Sequence, residues 1–272
     1  MTVQPAPNAS FRIRVAAATD VGRARQSNED AYLVAATGAS AAESGGEATF
    51  DSATQSVILA VSDGMGGAAA GEVASALVVE VLQRSLPADS PDWTSALRQA
   101  VQAANREVWQ AGQLPSRRGM GATLTAVCVN GRDAYLAEVG DSRAYLLRGG
   151  VLRLLTHDQS YVQMLVDAGA LTADQAENSP MKNIISSAMG QDADVSVDLG
   201  RVELMPGDAL LVCSDGLSNE VSAADIRDIL THEAAPDMAR SRLIAMANEH
   251  GGRDNVTVVV ARFESPIPDE IR

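Results

Sequence analysis

Two segments of the chain each place an aspartate at the end of a short apolar run. The first covers residues 57–64 and the second covers residues 210–216. Each run is typical of a buried strand, and the glycine after each aspartate allows the backbone to turn sharply. An ionised carboxylate at the edge of a core is costly unless a cation or several donors compensate it. Asp63 and Asp215 are therefore predicted to face a shared ion, although Asp-Gly is also a common turn signal.

Six acidic residues share this placement at predicted strand ends or tight turns, next to Gly or Asn. They are Glu29, Asp30, Asp63, Asp141, Asp215 and Asp254. A cluster of carboxylates without His or Cys ligands suits a hard divalent ion, Mg²⁺ or Mn²⁺, rather than zinc. Arg25 lies four residues before Glu29. Its guanidinium is predicted to bind an anion that the metal ions also hold, and a phosphate suits it.

The composition restricts the partners and the compartment. A formal net charge of −14 disfavours a nucleic-acid partner and an anionic membrane surface alike. No apolar run is long enough to span a membrane, and residues 1–10 lack the pattern of a secretion signal. Cys128 and Cys213 lie in apolar runs, where cysteine behaves as a small hydrophobic residue. These features predict a cytoplasmic protein without a disulfide framework.

The predicted elements occur in blocks of strands and blocks of helices, which indicates an α+β domain because β-α-β alternation is missing. Strands are predicted over residues 11–19, 30–35, 57–64, 124–129, 134–139, 144–147, 151–155, 195–203, 209–213 and 255–263. Helices are predicted over residues 73–82, 93–108, 161–168, 222–230 and 237–250. The four strands between residues 124 and 155 are expected to form one antiparallel meander, since short polar turns separate them.

Two stretches are expected to lie outside the core. Residues 37–56 are rich in Ala, Gly, Ser and Thr, which favours a loop. Residues 156–190 are more polar and partly helical, which predicts a small inserted flap. The whole chain, residues 1–272, is interpreted as a single domain with a core over about residues 11–263.

Six motifs resemble those of the metal-dependent serine/threonine protein phosphatases of type 2C, the PPM family, in its bacterial form. They are Arg25-x-x-Asn28-Glu29-Asp30, Asp63-Gly64-Met65-Gly66-Gly67, Gly121-Ala122-Thr123, Gly140-Asp141-Ser142-Arg143-Ala144, Ser214-Asp215-Gly216-Leu217 and Asp254-Asn255-Val256-Thr257. Any one motif is weak, whereas six in the right order over about residues 14–263 form a specific match. The resemblance implies a four-layer α/β/β/α sandwich with metal ions at one end, between two antiparallel sheets.

The resemblance also implies a role for each candidate residue. The metal ligands would be Glu29, Asp30 through bound water, Asp63, the carbonyl of Gly64, Asp141, Asp215 and Asp254. Asp63 would bridge two core ions, Mn²⁺ or Mg²⁺, and Asp141 would join Asp215 at a third, weaker site. A hydroxide bridging the core ions would attack phosphorus while Arg25 binds the phosphoryl oxygens. Arg25, Asp63 and Asp215 are therefore the expected catalytic residues.

The implied substrates are proteins phosphorylated on serine or threonine by a bacterial signalling kinase, and the implied state is a monomer.

Three positions need separate comment. Met65 stands where eukaryotic relatives often carry a histidine that protonates the leaving group, so another group must do so here. Ser187 occupies the place of an arginine that bacterial members often carry in the flap. His157 is interpreted as structural rather than catalytic.

Two other functions were compatible with parts of the sequence. Gly64-x-Gly66-x-x-Ala69 after a strand fits the dinucleotide-binding fingerprint. However, a second helix rather than a parallel strand follows the first, and no acidic residue ends a strand about 20 residues on. A catalytically inactive module that binds phosphoproteins is the other alternative. The complete set of candidate ligands favours an active enzyme.

Overall fold

The computed structural model describes residues 10–39, 46–66 and 70–265. Its strands are β1 (Arg12–Asp20), β2 (Asp30–Ala36), β3 (Glu47–Asp51), β4 (Val57–Met65), β5 (Gly121–Ala122), β6 (Leu124–Asn130), β7 (Asp133–Val139), β8 (Arg143–Arg148), β9 (Val151–Leu154), β10 (Asp198–Glu203), β11 (Ala209–Cys213) and β12 (Val256–Glu264). Its helices are α1 (Ala70–Ser85), α2 (Trp93–Ala111), α3 (Tyr161–Asp167), α4 (Ala173–Glu177), α5 (Asp215–Ser218), α6 (Ala223–His232) and α7 (Pro236–Glu249). None of the helices in these residues is both long and apolar enough to cross a membrane.

The strands form two antiparallel sheets. The first has the order β3-β1-β12-β11-β8-β9, and the second has the order β10-β7-β6-β4-β2, with the short β5 paired to the end of β4. Helices α1 and α2 pack on the outer face of the second sheet. Helices α6 and α7 pack on the outer face of the first sheet. The four-layer α/β/β/α sandwich expected from the sequence is confirmed.

The central strands are apolar on both faces because each sheet is covered on both sides. In β4, the side chains of Val57, Leu59 and Val61 point into the core between the sheets. Ile58 and Ala60 point the other way, toward α1 and α2. Alternate residues of a strand face opposite sides of its sheet, so a strand buried on both sides is a continuous apolar run. This explains why β4 was recognisable from its sequence alone.

Polar caps begin the helices that the sequence predicted. The Asp92 carboxylate accepts a hydrogen bond from the Ser95 backbone N–H at 3.1 Å, at the start of α2. Ser222 Oγ accepts one from the Asp225 N–H at 3.2 Å, at the start of α6. Such caps satisfy backbone donors that have no partner inside the helix. The predicted helix starts at residues 93 and 222 are therefore close to the observed ones.

The predicted meander is wrong at one point. Strand β7 pairs with β6 in the second sheet, whereas β8 pairs with β11 and β9 in the first. The turn at Gly140-Asp141-Ser142 therefore carries the chain from one sheet to the other. The hydroxyls of Thr123 and Ser142 lie 2.8 Å apart, and Thr125 Oγ1 donates to the Ser142 carbonyl at 2.6 Å. These bonds, which join distant segments, direct the turn across the sandwich instead of back along its own sheet.

Two smaller expectations also differ from the structure. The stretch 37–56 contains strand β3, which pairs with β1 at the edge of the first sheet. Its polar composition concealed a strand that pairs, within the described residues, with β1 about 30 residues earlier in the sequence. Strand β10 begins at Asp198 rather than at residue 195. Gly67 and Ala69, which belong to two of the sequence motifs, lie outside the described residues.

The segment predicted as a flap (residues 156–190) lies between β9 and β10 and contains the short helices α3 and α4. Its two halves are joined near its base. The Tyr161 N–H donates to the Ile184 carbonyl at 2.8 Å, and the Ser186 N–H donates to the Gln159 carbonyl at 2.7 Å. The flap is therefore an ordered excursion whose ends lie side by side.

Candidate metal centre

The acidic candidates come from both sheets and meet at one end of the sandwich. Asp30 and Asp63 are paired in register on β2 and β4 of the second sheet. Asp215 begins α5 directly after β11 of the first sheet, and Asp254 precedes β12. Asp141 lies in the crossing from β7 to β8. The structure therefore brings acids that are far apart in the sequence into one cluster. Asp254, for example, lies 224 positions after Asp30 and its charge acts on that carboxyl group.

The carboxylates raise one another's pKa values. Burial, followed by repulsion from Asp30, Asp215 and two further acids, holds the pKa of Asp63 well above its usual range. Burial and repulsion from Asp254 raise the pKa of Asp215. Burial and repulsion from Asp215 raise the pKa of Asp141. Each shift reflects the free-energy cost of ionising a carboxyl group that is buried beside other acids. A bound divalent ion would lower that cost for all three.

Two buried carboxylate oxygens of this cluster have no hydrogen-bond partner within the described residues. Asp30 Oδ2 accepts bonds from Ser214 Oγ at 2.7 Å and Thr257 Oγ1 at 2.6 Å, whereas its Oδ1 is buried and unpartnered. Asp215 Oδ1 is also buried and unpartnered. An unsatisfied buried polar atom costs free energy unless a ligand completes it. Ser214 and Thr257 orient Asp30, a role that the sequence analysis did not assign to them.

The donor set fits a hard divalent ion. In residues 10–39, 46–66 and 70–265, no three acidic, histidine or cysteine side chains already stand in the geometry of a bound metal ion. The oxygen-only chemistry, the raised pKa values and the orphaned oxygens together match Mn²⁺ or Mg²⁺ ligands.

Glu29 lies on the opposite side of this cluster, against the first turn of α1. A Cβ placed on Gly71 would lie 2.6 Å from Glu29 Oε2. The Glu29 carbonyl accepts hydrogen bonds from the Gly64 N–H at 3.1 Å and from Ser75 Oγ at 2.5 Å. Only a glycine at position 71 lets the carboxylate approach so closely. Gly71 is a positioning residue that the sequence analysis missed.

Asn255 links the loop that carries Glu29 to the loop that carries Asp254. Its Oδ1 accepts a hydrogen bond from the Glu29 N–H at 2.8 Å. Its Nδ2 donates to the carbonyls of Val21 and Ser27, each at 3.0 Å. The side chain is therefore satisfied by groups more than 200 residues away in the sequence. Its place in the Asp-Asn motif was the only sequence signal for this role.

Arg25 lies in the loop between β1 and β2 and faces the same cluster. Its Nη2 donates a hydrogen bond of 2.7 Å to Asp254 Oδ2. The bond to Asp254 raises the pKa of Arg25, and the charges of Asp63 and Glu29 add to the effect. The Arg25 side chain is 53% exposed, so a ligand from solvent can reach it.

The comparisons with known proteins agree with this geometry. Residues 17–248 match the family described as Protein phosphatase 2C. The chain belongs to the protein phosphatase 2C family. It is 41% identical over 254 residues to the serine/threonine protein phosphatase PstP of Mycobacterium tuberculosis, covering 92% of this chain and 45% of that protein. It is 36% identical over 246 residues to the protein phosphatase PhpP of Streptococcus pneumoniae, covering 89% of this chain and 94% of that protein.

A solved structure shares both the fold and part of the expected chemistry. The catalytic domain of PstP in complex with two manganese ions superposes with a TM-score of 0.77 and 38% identity, covering 94% of this chain and all of that one. This phosphatase 2C chain thus spans about half the length of the mycobacterial relative and nearly all of the streptococcal one. The resemblance inferred from the six sequence motifs is confirmed.

In this phosphatase 2C chain the flap is attached next to Asp141. Gln159 Oε1 accepts a hydrogen bond from the Gly140 N–H at 3.0 Å, and Gln159 Nε2 donates to Asp198 at 2.9 Å. The Gln159 backbone N–H also donates to the Gly140 carbonyl at 2.8 Å. The base of the flap and the crossing that carries Asp141 therefore form one hydrogen-bonded unit.

The remaining residues singled out from the sequence lie away from the carboxylates or carry no ionisable group. Met65 ends β4, and Ser187 is half-buried in the flap. His157 Nε2 lies 2.8 Å from the Asp167 carboxylate on α3. Two further histidines, His232 and His250, each place Nδ1 against a backbone carbonyl, that of Asp228 in the same helix and that of Glu220. The imidazole hydrogen bonds of all three histidines are therefore to residues outside the carboxylate cluster.

Proposed function

We propose that the protein is a metal-dependent phosphatase that hydrolyses phosphoserine and phosphothreonine in proteins. The observation that carries the proposal is the cluster around Asp63, in which buried carboxyl groups lie close enough to raise one another's pKa values. Two of their oxygens, on Asp30 and Asp215, have no partner. Membership of the protein phosphatase 2C family and the two manganese ions of PstP support the same chemistry.

The candidate ligands divide into two groups around Asp63. Asp215 and Asp254 stand on the side of the first sheet, and Glu29 with the Gly64 carbonyl stands on the side of the second. Asp63 would contact both core ions, and Asp30 would orient water through its free oxygen. Two divalent ions held in this way supply an activated water and neutralise the charge of a phosphoryl group. Asp141 and Asp215 would hold a third, weaker ion.

Arg25 would bind the phosphoryl oxygens. Its guanidinium stands at the rim of the site, half-exposed, and contacts Asp254. An ion held by Asp254 would compete with the guanidinium for that carboxylate, and a phosphate could then accept the N–H donors of Arg25 in a bidentate manner. Arg25 would thereby orient the substrate and stabilise charge in the transition state.

Neither cysteine can act as a nucleophile in the manner of a thiol phosphatase. Cys128 and Cys213 are both buried, and burial raises the pKa of each thiol. The dinucleotide alternative also lacks its structural basis, because β4 has antiparallel neighbours on both sides. A β-α-β unit, which that alternative requires, is therefore not formed by this segment.

The finer features of the proposal concern the setting of the enzyme. Its substrates would be proteins phosphorylated by a serine/threonine kinase in a bacterial signalling pathway. The catalytic unit would be a single domain over residues 1–272 that acts as a monomer in the cytoplasm. The net charge of −14 supports protein substrates over nucleic acids.

The deciding experiment is hydrolysis of p-nitrophenyl phosphate and of a phosphothreonine peptide with and without Mn²⁺. We expect activity that EDTA abolishes and that Mn²⁺ or Mg²⁺ restores. Asp63→Asn should lose nearly all turnover, whereas Asp228→Asn, on an exposed acid of α6, should not. Activity that survives exhaustive chelation would contradict the proposal. Phosphopeptide binding without any turnover would instead favour the inactive module.

A further inference from the structure

A cavity of about 460 Å³ lies between the flap and the core. Asp141 and Asp215 line it on the core side, and Glu177 and Lys182 line it on the flap side. It therefore adjoins the candidate metal centre. A peptide whose phosphorylated side chain reaches that centre has neighbouring residues at the mouth of this cavity.

The cavity contains one cation without a partner. Arg143 and Lys182 are its basic lining residues. Asp158 neutralises Arg143 in a bidentate pair, with Nε to Oδ1 at 2.9 Å and Nη2 to Oδ2 at 2.6 Å. Lys182, the only lysine in the sequence, is half-buried and makes no ion pair with any residue in the described part of the chain. Its ammonium group is available to a ligand.

The rest of the lining suits a peptide. It is rich in uncharged polar side chains, which can donate to and accept from a peptide backbone: Ser160, Gln163, Asn183, Ser218, Asn219 and Ser222. The chain as a whole carries a net charge of −14 and repels acidic segments. A single accessible cation in an otherwise acidic cavity therefore favours peptides that carry an acidic residue at one particular position over peptides that carry it elsewhere.

We propose that Lys182 is a specificity-determining residue that binds an acidic side chain, Asp or Glu, flanking the phosphorylated residue of the substrate. This inference rests on the proposed phosphatase function and adds a substrate class to it. Glu177 lies on the same wall but is exposed, so it opposes the acidic side chain only from the rim. Lys182 is half-buried in the same wall, so solvent screens its charge less than that of Glu177.

The test is a set of phosphothreonine peptides, each with one glutamate at a different position within three residues of the phosphothreonine, compared with the all-alanine parent. The readout is the ratio of kcat/KM for the glutamate peptide to that for the parent, so a general loss of activity cancels. With the glutamate at one of these positions, the wild-type ratio should be about 5 or more, because KM is lower for that peptide. A factor of about 5 is what one partly screened ion pair contributes. Lys182→Ala should reduce the ratio to about 1, and Lys182→Arg should retain it.

Two further variants sharpen the result. Glu177→Gln should increase the ratio, because it removes the acid from the same wall. Arg98→Ala, on an exposed arginine of α2, should leave it unchanged. A wild-type ratio near unity at every position, or a preference that survives Lys182→Ala, would overturn the role of Lys182 while the phosphatase function stands. Absence of any Mn²⁺-dependent turnover of the parent peptide would overturn both.

Discussion

The Arg25 guanidinium donates a hydrogen bond of 2.7 Å to the carboxylate of Asp254. The two residues are 229 positions apart in the sequence, and the sequence analysis assigned them to different tasks, phosphate binding and metal binding. The arginine therefore bonds to the carboxylate that is proposed as a metal ligand. Ion binding by Asp254 and release of Arg25 toward the substrate would then be linked.

Replacing Arg25 should impair catalysis without weakening metal binding. Arg25→Ala is expected to lower kcat/KM by roughly 10-fold or more, or about 1.4 kcal/mol of transition-state stabilisation. The affinity for Mn²⁺ should not fall, because the arginine competes for Asp254. Arg227→Ala is the matched control, since Arg227 on α6 is exposed and pairs only with the exposed Asp228 in the described part of the chain. Calorimetric Mn²⁺ titration and steady-state kinetics measure the two effects, and equal kinetics for both variants would make Arg25 a surface residue.

The close approach of Glu29 to Gly71 should control metal affinity. A Cβ on Gly71 would lie 2.6 Å from Glu29 Oε2 and 2.8 Å from the Gly64 backbone carbonyl carbon, so Gly71→Ala must displace one or both of these candidate ligands. We expect Mn²⁺ affinity to fall about 10-fold, as for other residues that orient ligands. Gly200→Ala is the control, because a Cβ there meets only Leu136 at 3.7 Å. If both variants bind Mn²⁺ equally well, Glu29 does not serve as a ligand.

The layers of the fold could be predicted because local patterns specify them. Strands such as β4 and β12 are apolar on both faces, and the caps at Asp92 and Ser222 mark helix starts. The crossing at residues 140–142 could not be predicted, because a turn within one sheet and a turn between two sheets use the same residue types. What decides between them is the bonding of Ser142 to Thr123 and Thr125.

The acidic part of the site was visible in the sequence for a physical reason. A carboxylate at the end of a buried strand needs a cation, and this made Asp63 and Asp215 conspicuous. The residues that orient the acids were not visible in this way. Gly71 acts through the absence of a side chain, and Asn255 acts through bonds to residues that only the fold brings near. Nothing in their local sequence distinguishes them from ordinary helix and turn residues.

The Asp63 carboxylate should lower the stability of the metal-free protein and raise that of the metal-bound protein. Burial and four neighbouring acids raise its pKa in the metal-free protein, so its ionised form destabilises the fold near neutral pH. In EDTA, Asp63→Asn should therefore melt at a higher temperature than wild type, by several degrees. In saturating Mn²⁺ the order should reverse, since only wild type gains the binding free energy of both ions. A variant less stable than wild type in EDTA would show that Asp63 supports the core instead.

Glu138 should make the stability of the metal-free protein depend on pH. Glu138 is buried, with 4% of its surface exposed. Burial raises its pKa from 4.5 to about 8, although the hydrogen bond from the His157 N–H acts to lower it. Asp158, Asp198 and Asp141 add repulsion. The folded state thus keeps a proton that the unfolded chain releases, so the free energy of unfolding falls as pH rises from about 4.5 to about 8.

Glu138→Gln should flatten that slope. Glutamine can still accept a hydrogen bond from the His157 N–H but cannot ionise. In EDTA, the free energy of unfolding of the variant relative to wild type should therefore increase between pH 5 and pH 8.5, by on the order of a few kcal/mol at most. The melting temperature across this range is the measurement. Glu80→Gln, on an exposed acid of α1, should follow the wild-type curve. Parallel curves for Glu138→Gln and wild type would mean that Glu138 is ionised throughout.

Asp141 should matter most when the leaving group needs a proton. Met65 follows the Asp63-Gly64 pair and cannot donate one, whereas a serine or threonine alkoxide is a poor leaving group. p-Nitrophenolate leaves without help. Asp141 is buried next to Asp215 and is placed to organise proton delivery, directly or through an ion that it helps to hold.

Asp141→Asn is therefore expected to reduce kcat for a phosphothreonine peptide about 10-fold more than kcat for p-nitrophenyl phosphate, which is part of the roughly 10²- to 10⁴-fold that general acid catalysis contributes. The alternative is that Asp141 only stabilises the crossing between the sheets. A structural defect would lower the melting temperature. It would also lower both rates by the same factor, because a loss of folded enzyme does not depend on the leaving group. A solvent isotope effect separates the two cases further, since it should grow in the variant for the peptide alone if proton transfer becomes limiting. Equal losses on both substrates would assign Asp141 to the fold.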